Sequence, residues 1–371
     1  MHSKVHFDNL INFEIGKSKW KMEETIMNLG NKIKALRTKA GVTQEKLAEE
    51  LGVSYQSVSK WENNVCAPDI AMLPRLSVYF GVTIDEIFDL TVEDRLARIE
   101  NMLLMEQEIP HYAFTEMEQF LKSQLENKCD EGKIYSLLAH LYYHRVASDS
   151  EMVTKYAQKS IMAAPDRKEC QWLLMKTQGA AVCDWNVKNH NKVIDFYKER
   201  IKEHPEIGRN YLYLMDNLLE DNRIGEVREY LEEYKKLEGY TEFMILIYEA
   251  QIALAEHKPE LAEDKYRELE EQFPESAWVI FELGNYNAEK CEYDKAIAYF
   301  ERAFALEPKP RYMDALQSIM NIYEIQEKYD KAMECCDRLL EMLKEERNLT
   351  EGKMISQVQT EKQRIAEKIR K

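Results

Sequence analysis

Residues 43–64 read Thr43-Gln44-Glu45-Lys46-Leu47-Ala48-Glu49-Glu50-Leu51-Gly52-Val53-Ser54-Tyr55-Gln56-Ser57-Val58-Ser59-Lys60-Trp61-Glu62-Asn63-Asn64. Two short amphipathic helices meet there at a glycine. Thr43 is a good N-cap, and Leu47, Ala48 and Leu51 form an apolar stripe behind it. Gly52 supplies the turn, where a residue without a Cβ is easiest to place. Ser54 caps the second helix, whose inward face is Val58 and Trp61. Its other face carries Tyr55, Gln56, Ser59, Lys60 and Asn63. A merely solvated face would favour Glu and Lys, so this one is suited to hydrogen bonding.

The pattern is that of a helix-turn-helix, whose second helix fits the DNA major groove. The flanks complete a small domain. Leu29, Ile33 and Leu36 recur at helical spacing among Lys32, Lys34, Arg37 and Lys39, and Gly41 ends that helix. A loop reaches Pro68, a further helix is expected over 70–80 with Leu73, Leu76 and Phe80 inward, and Gly81 stops it. Thr83 caps a last short helix carrying Ile84, Ile87 and Phe88. Five helices in this span are enough to fold with a modest core.

Residues 27–90 resemble the phage lambda repressor-like, Cro/Xre-type helix-turn-helix family. The match rests on Arg37, Gly41, Thr43-Gln44, Leu47-Ala48, Gly52-Val53-Ser54, Val58, Trp61-Glu62-Asn63, Pro68, Leu76 and Gly81-Val82. The resemblance implies that Gln44 touches the DNA backbone, that Tyr55, Gln56 and Lys60 face base edges, and that Asn63 sits by a phosphate. It also implies an Arg37–Glu62 ion pair. Gln pairs bidentately with adenine, Lys with guanine acceptors, and Tyr packs on a thymine methyl or a phosphate. The candidate DNA-binding residues are Arg37, Thr43, Gln44, Ser54, Tyr55, Gln56, Ser57, Ser59, Lys60 and Asn63. A helix-turn-helix kept only as a packing module is the other reading of the same pattern.

The formal net charge of -16 argues against a nucleic-acid partner until it is divided along the chain. Residues 27–90 hold 7 Lys+Arg and 8 Asp+Glu, whereas residues 91–371 hold 40 and 55, a net of -15. The acidity lies outside the DNA reader. Its small basic surplus (6 against 4 over residues 28–65) predicts modest phosphate attraction and a need for a dimer. Seven cysteines without a CxxC pattern suit a reducing cytoplasm, and no apolar run approaches a membrane span. One of Cys335 and Cys336 is expected inside and the other outside. Residues 1–26 read as a loosely ordered extension. Gly16-Lys17-Ser18 falls short of a phosphate loop, because Ile11 stands where Gly is needed.

Beyond residue 110 the chain is helix after helix with a recurring period. Tyr293-Asp294-Lys295-Ala296 returns as Tyr329-Asp330-Lys331-Ala332, and Pro274 returns as Pro308. Ala262 precedes Ala296, and Val193 and Val227 are placed in one slot. Gly284, Tyr293, Ala296, Phe300, Ala303 and Pro308 make the best single copy. This resembles the tetratricopeptide repeat. The expected architecture is all-α: a five-helix lambda repressor-like domain (27–90), a linker helix and first hairpin (91–128), and an α-solenoid (129–371). Six degenerate copies are expected between 133 and 345, closed by a polar helix over 351–369. Copies near Ala181 and Met215 depart from the pattern.

A stack of this kind presents a concave groove suited to a peptide or protein segment. Asn210, Tyr213, Asn217, Tyr248, Asn285 and Asn321 are the candidate groove residues, with Asn side chains clamping an extended backbone. The alternative places the aromatics in the inter-repeat core and the Asn in solvent. His140 and His144 share a helix face, but Leu141 stands where a zinc protease has Glu. No pattern calls for a metal, a cofactor or an enzyme. An Xre-type reader before tetratricopeptide repeats is similar to the peptide-responsive regulators of Gram-positive bacteria. That resemblance implies a cytoplasmic, homodimeric transcriptional regulator with double-stranded DNA and a peptide or protein as partners. A protein-interaction adaptor or antitoxin-like partner with secondary DNA binding is the alternative.

Overall fold

The structure, a computed structural model, describes residues 22–88, 91–106, 108–126, 130–165, 168–178 and 189–370. The Gly16-Lys17-Ser18 segment and the copy near Ala181 lie outside them. Among the described residues every regular element is helical. The chain divides into two compact units at residues 149 and 150.

In the first unit, α1 (Met22–Lys39) begins before the expected boundary at 27, so the extension gives way to helix earlier than composition suggested. Next come α2 (Gln44–Leu51) and α3 (Tyr55–Glu62). The expected helix over 70–80 is a single 3-10 turn, Ile70–Met72, leading into α4 (Leu73–Phe80), and α5 (Ile84–Phe88) follows. Leu29, Ile33, Leu47, Ala48, Leu51, Val58, Trp61, Leu76 and Ile87 form one buried core. A second core joins α6 (Val92–Met105), α7 (His111–Glu126) and the start of α8 (Glu131–Ala163) through Leu96, Ile99, Phe114, Leu121, Ile134 and Leu141. The uninterrupted α8 is where the first expected repeat copies fail: 33 residues form one helix rather than a helix pair.

In the second unit, α9 (Lys168–Thr177) and α10 (Asn191–Glu203) precede four antiparallel pairs. They are α11 (Gly208–Glu220) with α12 (Ile224–Tyr234) and α13 (Glu242–Ala255) with α14 (Pro259–Gln272), then α15 (Ala277–Glu289) with α16 (Tyr293–Leu306) and α17 (Asp314–Ile325) with α18 (Tyr329–Arg347). The polar α19 (Lys353–Ile369) closes the series on Ile355, Val358 and Ile365. Among the described residues four regular pairs thus stand where six copies were expected, the copy near Ala181 lying outside them.

The packing repeat is set by side chains on every second helix. Ile194, Val227, Ala262, Ala296 and Ala332 each have 0% exposure. Seven residues further on, Ile201, Tyr234, Leu269, Ala303 and Leu339 are buried as well. Val193 is 42% exposed, so Ile194 rather than Val193 shares the slot of Val227. Cys335 and Cys336 are both buried, against the expectation of one inside and one out, and burial pushes both thiols up to about 11.

Each pair turns on the same device. Asn222, His257, Cys291 and Glu327 have φ between 56° and 60°. The following amides of Arg223, Lys258, Glu292 and Lys328 donate to Leu218 O, Ala253 O, Asn287 O and Tyr323 O. This is the Schellman closure, which ordinarily takes glycine at the left-handed residue. Helices of one pair approach closely where a glycine allows it: a Cβ on Gly284 would meet the Phe300 ring at 2.6 Å.

These features predict opposite responses to two small changes. His257→Gly relieves a left-handed side chain and should raise stability by roughly 0.5–1 kcal/mol. Gly284→Ala overpacks a buried ring and should lower it by about 1–3 kcal/mol. Urea unfolding followed by circular dichroism reads both.

Candidate nucleic-acid interface and repeat groove

The two caps of the helix-turn-helix form as their residue types demand. Thr43 Oγ1 accepts the Lys46 amide at 3.2 Å, and Ser54 Oγ accepts the Ser57 amide at 3.1 Å. Gly52 takes φ 66° between them, open to any approach but closed to most side chains. With Val58 and Trp61 buried, Tyr55, Gln56, Lys60 and Asn63 are left exposed on α3, and Ser57 and Ser59 are half-buried. Asn63 Nδ2 donates to Ser59 O at 2.8 Å.

Behind that face lies a buried carboxylate. The Glu62 side chain is 1% exposed, and Arg37 reaches it with Nε to Oε1 at 2.5 Å and Nη2 to Oε2 at 2.9 Å. Gln44 Nε2 also donates to Glu62 Oε2, at 2.6 Å. The ion pair implied by resemblance is present. Gln44, expected on the DNA backbone, joins α2 to Glu62 through that hydrogen bond. Burial raises the carboxyl's proton affinity, but hydrogen bonds from Arg37 and Gln44 and the guanidinium charge outweigh it and hold the pKa below the usual range.

Sequence reasoning missed a second link between α1 and α3. Asn64, at φ 56°, accepts the Gly30 amide through Oδ1 at 3.1 Å. A Cβ on Gly30 would lie 2.1 Å from Trp61 O, so only glycine allows the helices this approach. A glycine inside the helical pattern of residues 29–39 was the available signal.

In the second unit the helices α11, α13, α15 and α17 align by their turns. Six residues before each left-handed residue stand Asp216, Gln251, Asn285 and Asn321. Nine before stand Tyr213, Tyr248, Glu282 and Ser318, and thirteen before stand Arg209, Met244, Trp278 and Asp314. These offsets fall on one helix face. Tyr213, Tyr248, Asn285 and Asn321 share this face, but Tyr248, 1% exposed, is part of the buried core, as the alternative reading of the aromatics had it. Asn210 and Asn217 do not: they occupy slots held elsewhere by buried residues such as Val279 and Ile252, and Asn217 Nδ2 is tied to Tyr213 O at 2.8 Å. Their amides suggested clamps for a ligand backbone, but the register places them between helices.

A cavity of about 290 Å³ opens on this face, lined by Arg209, Leu212, Tyr213, Asp216, Thr241, Phe243, Met244, Tyr248 and Trp278. The buried Tyr248 hydroxyl donates to Asp216 Oδ1 at 2.7 Å and to Leu212 O at 2.9 Å. Desolvation raises Asp216 to about 6, moderated by the Tyr248 hydrogen bond. Glu282 is buried and pushed up to about 7, again chiefly by desolvation, with the Asn285 amide as its one hydrogen-bond donor. Glu282 Oε1 has no hydrogen-bond partner among the described residues. Elsewhere, His140 Nδ1 lies 2.8 Å from Ser136 O, and the buried His144 Nε2 lies 2.8 Å from Glu106 O. Among the described residues no helix is long and apolar enough to cross a membrane.

The helix-turn-helix family model matches residues 33–87, and the tetratricopeptide-repeat model matches residues 277–310. The transcriptional activator BcrR of Enterococcus faecalis is 41% identical over 75 residues, 20% of this chain and 37% of that protein. YgzD, an HTH-type regulator of Bacillus subtilis, is 33% identical over 64 residues, 17% of this chain and 97% of its own length. An HTH-type regulator of Methanocaldococcus jannaschii is 38% identical over 58 residues, 16% of this chain and 88% of that one. The chain belongs to the helix-turn-helix transcriptional regulators. It spans only 37% of BcrR and 46% of ImmR from Bacillus subtilis. Among solved structures, ComR from S. thermophilus in complex with DNA and its signalling peptide ComS aligns over 75% of this chain and 92% of that one. Its identity is 12% and the TM-score 0.21.

Two outcomes follow from the buried carboxyls. Arg37→Leu strands Glu62 without its cation and should cost about 3–5 kcal/mol in urea unfolding near neutral pH. Asp216 and Glu282 behave oppositely, because their folded pKa values lie above the unfolded ones. Their contribution is complete below about pH 4 and is lost as pH rises through 6 and 7. The Asp216→Asn, Glu282→Gln double variant should therefore match the parent near pH 4 and exceed it by about 2 kcal/mol or more near pH 8.

Proposed function

We propose that this regulator binds DNA sequence-specifically through α3, dimerises, and senses an extended peptide or protein segment on the face shared by α11, α13, α15 and α17. The observation carrying the DNA part is the division of α3: Val58 and Trp61 are consumed by the core, and Tyr55, Gln56 and Lys60 are left outward. Gln56 and Lys60 are the base-reading residues, Tyr55 packs on a methyl or phosphate, and Thr43, Ser54, Ser57, Ser59 and Asn63 lie along the flanks. Arg37 and Gln44 act indirectly, by holding Glu62 and with it the end of α3. The acids at residues 45, 49 and 50 leave little positive surplus, so one reader binds weakly and two half-sites supply the affinity.

The peptide reading is supported by the ladder Asp216, Gln251, Asn285 and Asn321. One hydrogen-bonding side chain per repeat, on consecutive helices, suits an extended backbone. A peptide seated there would bias the angle between successive pairs, and small rotations accumulate along a stack. Coupling of about 1–3 kcal/mol would change operator affinity by about 5- to 150-fold.

Selection from a random duplex library should give the parent protein a two-fold symmetric site. The Gln56→Ala, Lys60→Ala variant should retain helical content and lose the preference, since each good base contact is worth about 1–3 kcal/mol. Equal enrichment of the same sites by both proteins would refute the assignment. Light scattering should give a dimer, and cell extract should alter operator affinity of the full chain.

A further inference from the structure

Two carboxylates with almost fully covered side chains carry their own cation. Glu62 is held by Arg37, and Glu346, 2% exposed, is held by Arg311 with Nε to Oε1 at 3.0 Å. Asp216 and Glu282 break the pattern: among the described residues no Lys or Arg pairs with either. A desolvated carboxyl without a cation costs stability, and here a buried one, Glu282, and a half-buried one, Asp216, stand near one cavity.

The cavity's geometry says what is missing. Asp216 lies at one end, its carboxyl fixed by the Tyr248 hydroxyl, and Tyr213, Phe243, Tyr248 and Trp278 supply aromatic surface around it. Arg209, exposed and with no ion pair among the described residues, stands two helical turns away on α11, about 10 Å along the axis. It is too distant to neutralise Asp216. Aromatic surface beside a carboxylate is the setting in which a cation with an apolar stem is best held. The charge meets the carboxylate, and its stem and face meet the rings.

We propose that this cavity is the anchoring subsite for a positively charged group of the ligand, an Arg or Lys side chain of an extended peptide. The proposal rests on the groove reading above and adds the ligand's chemical class. Asp216 is its direct partner, and Tyr248 is the positioning residue. Glu282, whose charge reaches Tyr248 and Asp216 from α15, adds negative potential without touching the ligand. The site is coupled to protons: Asp216 holds a proton part of the time near neutral pH, and a cation entering the cavity displaces it. Acid therefore weakens binding. Tyr248 is the group that faces Asp216, with Glu282 beyond it and Arg209 too far along α11 to pair, so the deprotonation of Asp216 dominates that response.

The test uses the full chain labelled with 5-fluorotryptophan, the Trp278 resonance being assigned by its loss in Trp278→Phe. Probes are n-butylguanidinium, n-butylammonium, leucinamide as a free α-ammonium, and uncharged n-pentanol, titrated near pH 8. The expected result is a saturable shift of Trp278 by a cation at least about tenfold tighter than by n-pentanol, weakened near pH 5. The tightest of the three cations distinguishes an Arg side chain, a Lys side chain and a peptide amino terminus. Asp216→Asn keeps an acceptor for Tyr248 and should abolish the preference with the fold intact. Tyr248→Phe should reduce it. If n-pentanol binds as tightly, if no probe moves Trp278, or if Asp216→Asn retains the preference, the proposal is overturned. None of these outcomes alters operator binding or its response to extract, so failure here is separable from failure of the groove reading.

Discussion

One buried side chain per repeat governs the second unit. The slot filled by Ile194, Val227, Ala262, Ala296 and Ala332 admits no solvent, and its occupants stand 33 to 36 residues apart. Everything between those points must fit: one turn, one antiparallel helix, one return. The left-handed residues Asn222, His257, Cys291 and Glu327 close the turns at matching intervals. Each repeat therefore buries apolar side chains on both helices, seven residues of α13 against three of α14 for example. The face of the first helix that holds Asp216, Asn285 and Asn321, half-buried or exposed, also holds the buried Met244, Tyr248 and Glu282.

Sequence legibility follows the same physics. The helix-turn-helix was readable because capping, the Gly52 turn and the Val58/Trp61 stripe are local, and local rules agree there with the tertiary result. The Arg37–Glu62 pair was accessible only through family resemblance. Gln44 was not readable, since nothing along the chain says that its amide meets a carboxylate 18 residues away. The long α8 escaped for the opposite reason. Its aromatic and small residues mimic a repeat, but no glycine or proline interrupts the helix after Gly132 until Pro165. Val193 and Ile194 are adjacent apolar β-branched residues, and a one-residue slip rotates a helix by about 100°. Only packing chooses between them.

Asn210 and Asn217 were placed in the groove as clamps for an extended ligand backbone. The register puts them between helices, and Asn217 satisfies its donor on its own backbone. Asp216 and Glu282 were overlooked for a related reason. In a segment with 55 acidic residues, two more carboxylates look like ordinary solvated charge. Burial is what distinguishes them, and burial is a tertiary property.

The two kinds of buried acid do different work. Glu62 and Glu346 are ionised, paired with guanidinium groups, and fix local geometry: the end of α3 in one case, the loop at Arg311 in the other. A pair of this kind has little capacity left, because its charge is already neutralised and its lone pairs are used. Asp216 and Glu282 sit where desolvation has moved proton affinity toward neutrality, so their charge state responds to whatever enters. A fold selected only for stability would replace them with amides. Their place beside aromatic side chains is an argument for recognition, since it works against the stability of this unit.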